Sequence, residues 1–466
     1  MLTFDVLNAR LKMRFASYVL ILLAAVSAPF LNARAAQAAS VKEDHVKAPM
    51  PPGFQVIVNE LEGPVFADAQ GRTLYKWPKW RLRNGDSGEI PLKPTCDNHV
   101  YRETSGFVTP YPAGLEMPDA DNRPSCADLW PPVLASADAK PVGKWVIVDR
   151  LDGRKQWAYD GLALYTSILD KRPGDVLGGS TMLLTPGGFA DSGAPRVPVG
   201  PDANLPAQFK VTTSLTGRLV TTNDGWSVYT FEGDSRNKSN CYDECLDSWE
   251  PVLAATYARP VGEWTIFERS PDIRQWAFRG MPVYRYLEDH RKNSQAGSDI
   301  VRWRNVYTQL APKPPKGFVL KDTLTGLLLG DARGMTVYTY NCTDDAADQL
   351  ACDHPDSPQE YRFAMCGGGD PDTCVKTFPY VLAPAGAQSG NQIWSTIYID
   401  PKTGKKATAN QPGALHVWAF RDRPIYTFAG RSGYGDETPE DFRANSWGEY
   451  FGKRNGFRVF TYRDAS

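Results

Sequence analysis

Hydrophobic positions in this chain fall in short clusters separated by turn residues. Thr265, Ile266 and Phe267, then Gln275-Trp276-Ala277-Phe278, then Val283-Tyr284-Arg285-Tyr286 are β-branched and aromatic runs, interrupted by Pro271-Asp272 and by Arg279-Gly280-Met281-Pro282. Runs of this length and composition predict a meander of hairpins. Gly217 to Thr222, a turn at Asn223-Asp224-Gly225, and Trp226 to Phe231 predict another, because Asn-Asp-Gly between two strand-like runs favours a tight reversal. No stretch keeps helical periodicity beyond two or three turns, so the expected fold is mainly β.

The long apolar run is near the start, where Lys12 and Arg14 precede Tyr18 to Val26 and small residues follow in Ala33-Arg34-Ala35 and Ala36-Gln37-Ala38. This predicts a secretory signal over residues 1–38, with translation beginning at Met1 or Met13. The apolar stretch falls short of the roughly 20 residues needed to span a bilayer, so no transmembrane segment is expected in the mature chain. The first cysteine is Cys96, leaving no candidate for lipid attachment near the cleavage site.

Self-comparison then divides the remainder into three units. At a spacing of 119 positions, Cys126 matches Cys245, Trp130 matches Trp249, Val133-Leu134-Ala135 matches Val252-Leu253-Ala254, and Gln156-Trp157-Ala158 matches Gln275-Trp276-Ala277. Further upstream the spacing widens to 154, pairing Gly71 with Gly225 and Tyr75 with Tyr229, so the first unit carries an insertion, mainly between Cys96 and Cys126. Phe318, Tyr338, Cys374, Val381-Leu382-Ala383, Trp418-Ala419-Phe420 and Tyr426 repeat the order a third time. The expected organisation is three homologous domains, 50–185, 204–312 and 315–466, made of short antiparallel strands and hairpins. Their separators are rich in Pro and Gly, which predicts beads on a string.

Composition narrows the partners. Lys plus Arg number 52 against 53 Asp plus Glu, a net charge of -1, which gives no footprint for a phosphate backbone and argues against nucleic acid. With 40 Gly and 37 Pro the chain exceeds the usual combined share of about 12%, in keeping with many turns. The eight cysteines divide evenly within the units, as closed disulfides in an exported protein would. Cys96 with Cys126 and Cys241 with Cys245 are the expected pairs, while Cys342, Cys352, Cys366 and Cys374 allow three connectivities. A metal site would need four gathered ligands, and Cys241-x3-Cys245 has no histidine until His290, so neither metal nor cofactor is expected.

Candidate chemistry is sparse. His45, His99, His290, His354 and His416 do not recur at matched positions, and no nucleophile elbow, zinc-protease motif, phosphate loop or dinucleotide fingerprint occurs, so no catalytic residue is assigned. Asp344, Asp345 and Asp348 read as a solvated acidic loop. What recurs is aromatic: Tyr75-Lys76-Trp77, Tyr229-Thr230-Phe231, Tyr338-Thr339-Tyr340, Tyr284-Arg285-Tyr286 and Tyr426-Thr427-Phe428. An Asp stands five residues after the Tyr at Asp170, Asp234 and Asp289. One reading packs the rings in the core, with the Asp bonding backbone amides in the following turn. Another makes Tyr229, Phe231, Asp234, Tyr284, Tyr286 and Asp289 a ligand platform for a sugar, a cell-wall fragment or a cation.

Together with Ser239-Asn240-Cys241-Tyr242-Asp243-Glu244-Cys245, Trp249-Glu250-Pro251-Val252-Leu253, Gly262-Glu263-Trp264 and Arg274-Gln275-Trp276-Ala277, these motifs resemble a family of secreted bacterial repeat proteins and predicted lipoproteins. That family is known by a Tyr-x4-Asp motif and its function is uncharacterised. The likeness covers nearly all of residues 54–466, with departures where Trp80, Thr343 and Arg431 stand at Asp positions. The resemblance implies export, and the expectation is a periplasmic or secreted protein with a binding or structural role whose partner is unknown, an envelope glycan or envelope protein being the candidates. A redox or hydrolytic accessory using His99, His354 and the extra cysteines, and a carbohydrate-binding module, stay open as alternatives.

Overall fold

A computed structural model describes residues 42–76, 92–94, 96–98, 124–179, 197–323, 326–340, 354–357, 359–388, 391–429, 453–454 and 457–464. The expected signal at 1–38, His99, Cys342, Cys352, the acidic run at Asp344, Asp345 and Asp348, and Trp80, Thr343 and Arg431 lie outside them.

The first segment contains β1 (Gln55–Asn59), β2 (Gly63–Ala67), β3 (Tyr75–Lys76), α1 (Cys126–Leu129), β4 (Trp145–Asp149), β5 (Lys155–Tyr159), β6 (Leu162–Ala163) and β7 (Val197–Pro198). The second contains β8 (Phe209–Ser214), β9 (Gly217–Thr222), β10 (Tyr229–Phe231), β11 (Trp249–Pro251), β12 (Trp264–Ser270), β13 (Ile273–Phe278), β14 (Met281–Tyr286), β15 (Trp303–Asn305) and β16 (Tyr307–Leu310). The third contains β17 (Val319–Thr323), β18 (Gly326–Gly330), β19 (Tyr338–Tyr340), α2 (Glu360–Gly367), α3 (Pro371–Thr377), β20 (Trp394–Ile399), β21 (Leu415–Phe420), β22 (Arg423–Tyr426), β23 (Lys453–Arg454), β24 (Phe457–Val459) and β25 (Thr461–Asp464). The protein is mainly β, and every strand pair among the described residues is antiparallel.

One topology runs through all three. The second segment orders its larger sheet β12-β13-β14-β10-β15 and the third orders its own β20-β21-β22-β19-β24-β23. In the first, β4-β5-β6 meets β3-β7 through a single bridge, Tyr75 to Tyr165. The same bridge appears as Tyr229 opposite Tyr284 and Tyr338 opposite Tyr426. The two tyrosines of each segment are therefore direct cross-strand neighbours.

Local sequence explains the hairpins. The Asn223-Asp224-Gly225 turn forms with Gly225 at φ 98°, where an L side chain would be strained. Regular pairing resumes only at Tyr229, because Val228 still bonds back to Val220 while β10 crosses into the other sheet. Met281-Pro282, expected to interrupt the meander, lie inside β14 instead. Arg279-Gly280 alone makes the reversal, at φ 49° and 82°, and puts Met281 opposite Phe278 and Pro282 opposite Ala277.

Each segment holds two cores. In one, a phenylalanine packs on a tryptophan pair: Phe54 on Trp145 at 4.7 Å, Phe209 on Trp264 at 4.2 Å, Phe318 on Trp394 at 5.6 Å. Phe209 is fully buried, which contributes roughly 1.5–3 kcal/mol, while Phe54 and Phe318 are partly buried. The other core gathers the paired tyrosines.

The beads-on-a-string arrangement is corrected by the contacts among the segments, since residues 40–466 form one compact unit. Glu62 meets Arg421 at 2.7 Å with both side chains almost fully buried, and Arg423 donates to the Leu177 and Gly179 carbonyls. Gln309 donates to the Asn59 carbonyl, and Arg218 pairs with Glu43. Asp464 accepts from Ser294 and from the Gln295 amide. Leu61 and Leu215 join the Leu329–Trp394–Phe420 core of the third segment. Proline- and glycine-rich separators permit independent domains, but they do not prevent docking by residues that the repeat does not share.

Candidate functional site

The recurring Tyr and Asp residues meet, but across motifs. The Tyr229 hydroxyl donates to Asp289 at 3.0 Å, and the Tyr284 hydroxyl donates to Asp234 at 2.7 Å and contacts Ser239 at 2.8 Å. In the first segment Tyr75 donates to Asp170 at 2.8 Å. Each Tyr therefore uses the carboxylate that follows the other Tyr. The register produces this: with the tyrosines opposed on antiparallel strands, the chain after each one leads toward its partner's hydroxyl.

Tyr229, Tyr284, Tyr286 and Asp289 are buried, while Phe231 and Asp234 are half-buried. Trp249 and Trp303 stack at 3.5 Å, Phe231 stacks on Trp303 at 4.7 Å, and the Tyr229 ring meets Trp249 edge-on at 5.3 Å. Tyr286 lies against Trp249 and donates to Glu288. These six sequence-selected residues belong to one neighbourhood, arranged around the Cys241–Cys245 disulfide.

Burial sets the electrostatics. It pushes the Asp170 carboxyl up to about 7 and the Asp289 carboxyl up to about 6, against the hydrogen bonds that favour their ionised forms. It raises Asp234 as well. Burial and the facing carboxylates lift the Tyr229 and Tyr75 phenols well above their ordinary value. A carboxyl that titrates near neutrality is suited to proton transfer. Here, however, the oxygens are occupied: both of Asp289 by Tyr229, and those of Asp170 by Tyr75 and the Leu177 amide.

Beside these pairs lies a network the sequence reading did not single out. Arg150 donates to Gln156 and to the Cys96 carbonyl, and Gln156 donates to the Leu164 carbonyl. Arg269 repeats this with Gln275 and the Cys241 carbonyl, and Gln275 with the Val283 carbonyl. Arg150 and Arg269 stand 119 positions apart, so the same self-match that aligned the glutamines held the signal. Gly178 and Gly297, also 119 apart, are a second missed pair. A Cβ on Gly297 would stand 2.8 Å from the Tyr229 ring, and one on Gly178 would stand 2.7 Å from Trp130.

The third segment solves the tyrosine core differently. Arg362, brought in by α2, is buried and donates to the Tyr380 hydroxyl at 3.0 Å and to Gln359 at 2.9 Å. Its guanidinium lies 5.5 Å from the Tyr426 ring centre. The cysteines pair as Cys96–Cys126, Cys241–Cys245 and Cys366–Cys374, the last selecting among the connectivities left open. His354 is buried with both ring nitrogens engaged, Nε2 toward Asp422 at 3.3 Å and Nδ1 accepting from the Asp356 amide at 3.2 Å. His416 stacks on Tyr398, and His290 is exposed. Among the described residues no three metal-capable side chains cluster, and no helix is long and apolar enough to cross a membrane.

Residues 146–182 and 210–253 match the model of a protein family described as a secreted repeat of unknown function. The matched segments contain Tyr165 with Asp170 and Tyr229 with Asp234, the motif on which the resemblance rested. A secreted repeat fits an exported chain. No curated protein and no solved structure matches.

Proposed function

We propose that this protein is a non-catalytic scaffold of the bacterial envelope, held in the periplasm, whose Tyr and Asp motif is an internal fastener. The observation that carries the reading is the crossed pairing. Tyr229 with Asp289 and Tyr75 with Asp170 spend their polar ends on each other, and the loops that these aspartates begin carry docking contacts on their other side. Residues 170–179 receive Arg421 and Arg423, and residues 289–299 receive Arg463 and Asp464. The motif thus shapes the surfaces that join the three segments into one body, which presents itself to an envelope partner as a rigid unit.

Tryptophan fluorescence during titration with soluble peptidoglycan fragments, run beside thermal unfolding, tests this reading. The expected result is that Asp289→Asn and Tyr229→Phe shift the unfolding midpoint while no saturable quenching depends on either residue. Saturable quenching that disappears in Asp234→Asn with the midpoint unchanged would establish the ligand platform instead.

A further inference from the structure

Where the second and third segments meet, the chain leaves a groove of about 640 Å³ roofed by the Ala311–Pro314 linker. That volume is typical of sites for small organic ligands, which run about 300–1,000 Å³. A protein partner would instead need some 800 Å² of surface on each side. The inner wall is apolar, formed by Leu215, Phe318, Leu327 and Leu329. At the mouth Leu310, Leu320 and Val319 are 62%, 50% and 42% exposed, an aliphatic group left to water.

The charged residues of the lining have one sign, beside the uncharged Thr216, Gln295, Ser298 and Asn305. Arg304, Lys313 and Arg463 line the groove, and no Asp or Glu does among the described residues. Arg304 pairs outward with Glu232 at 3.0 Å, and Arg463 reaches Asp299 and Asp322 at 2.5 and 3.5 Å. Lys313 is exposed on the linker and has no carboxylate partner among the described residues. An apolar trough ending at an uncompensated cation complements a molecule with an apolar body and an anionic head.

We propose that this groove binds a single-chain anionic amphiphile, its tail along Leu215, Phe318 and Leu327 and its carboxylate or phosphate head at Lys313. The groove borders the loop that follows Asp289 at Gln295 and Ser298 and includes Arg463, which docks on that loop, but none of the paired Tyr and Asp residues lines it, so amphiphile binding is read out apart from the fastener. The test uses the full mature chain and the fluorescence of cis-parinaric acid, kept below its aggregation concentration, with its methyl ester as the uncharged counterpart. The wild type is expected to bind one acid per chain saturably. Leu320→Asp, which places a like charge beside the ligand at a half-exposed position, should abolish binding of the acid with the circular dichroism unchanged. Lys313→Glu should weaken the acid by about five- to tenfold, in line with reversing one charge near the surface, and leave the ester within about twofold. Displacement by palmitate or by lauryl phosphate identifies the preferred head group. Absence of saturable binding, indifference to Leu320→Asp, equal weakening of acid and ester by Lys313→Glu, or displacement by neither competitor would overturn the proposal.

Discussion

The second and third segments share a topology and an opposed tyrosine pair, yet their tyrosine cores take in charges of opposite sign. Around Tyr229 and Tyr284 the polar partners are Asp289 and Asp234, supplied by the repeat itself. In the third segment's tyrosine core Arg362, supplied by a helix within the insertion, is buried 5.5 Å from the Tyr426 ring centre and donates to the Tyr380 hydroxyl. A cross-strand tyrosine pair in a closed core creates a demand for polar partners, since a buried hydroxyl without one costs roughly 1–3 kcal/mol. Asp289 and Asp234 meet that demand at Tyr229 and Tyr284, and Arg362 meets it at Tyr380.

The largest expected effect breaks the arginine version. Arg362→Ala should destabilise the third segment by about 3–5 kcal/mol, because it opens a cavity and leaves the Tyr380 hydroxyl and Gln359 carbonyl unmatched. Chemical denaturation monitored near the Trp394 and Trp418 signals checks it. A loss below about 1 kcal/mol would mean the guanidinium is not the anchor.

The aspartate version should carry a pH signature that the arginine version lacks. The carboxyl of Asp289 titrates near 6 in the fold and near 3.8 when unfolded, so the fold holds the extra proton between those values. Its stabilising contribution is complete below about pH 4 and is lost as the pH rises through about 6, a change of roughly 3 kcal/mol at about 1.4 kcal/mol per pKa unit. Asp289→Asn should remove that part of the slope, so the difference in unfolding free energy between variant and wild type shifts in favour of the variant from pH 4 to pH 8. Denaturant midpoints across that range read it out, and a pH-independent difference would refute the assignment.

A smaller effect separates the disulfides. Cys241–Cys245 closes a loop of only a few residues, so replacing both by Ser should cost about 2 kcal/mol, whereas the 30-residue separation of Cys96 and Cys126 predicts roughly 3.5 kcal/mol for that pair. Equal losses would show that both act through native packing more than through the unfolded chain.

Much of this was legible in the sequence because the repeat is the fold. The self-match placed Trp157, Trp276 and Trp418 in equivalent positions, and the structure packs a phenylalanine against each. The Tyr and Asp residues were visible as a motif, but their wiring was not, because adjacency along the chain suggests pairing within a motif and strand register decides otherwise. Arg362 and the Glu62–Arg421 contact were illegible for a different reason: each belongs to one segment alone, so no internal comparison could raise it. Docking of the segments rests on such unshared residues, which is why the linkers misled.

The central claim is that the fastener joins Tyr to the Asp of the opposite motif, and double-mutant cycles on the second segment test it directly. Tyr229→Phe should couple to Asp289→Asn, and Tyr284→Phe to Asp234→Asn, by about 1–2 kcal/mol each, with near-zero coupling for Tyr229 with Asp234 and for Tyr284 with Asp289. Coupling that follows the sequence motif, or is absent from all four pairs, would contradict the account.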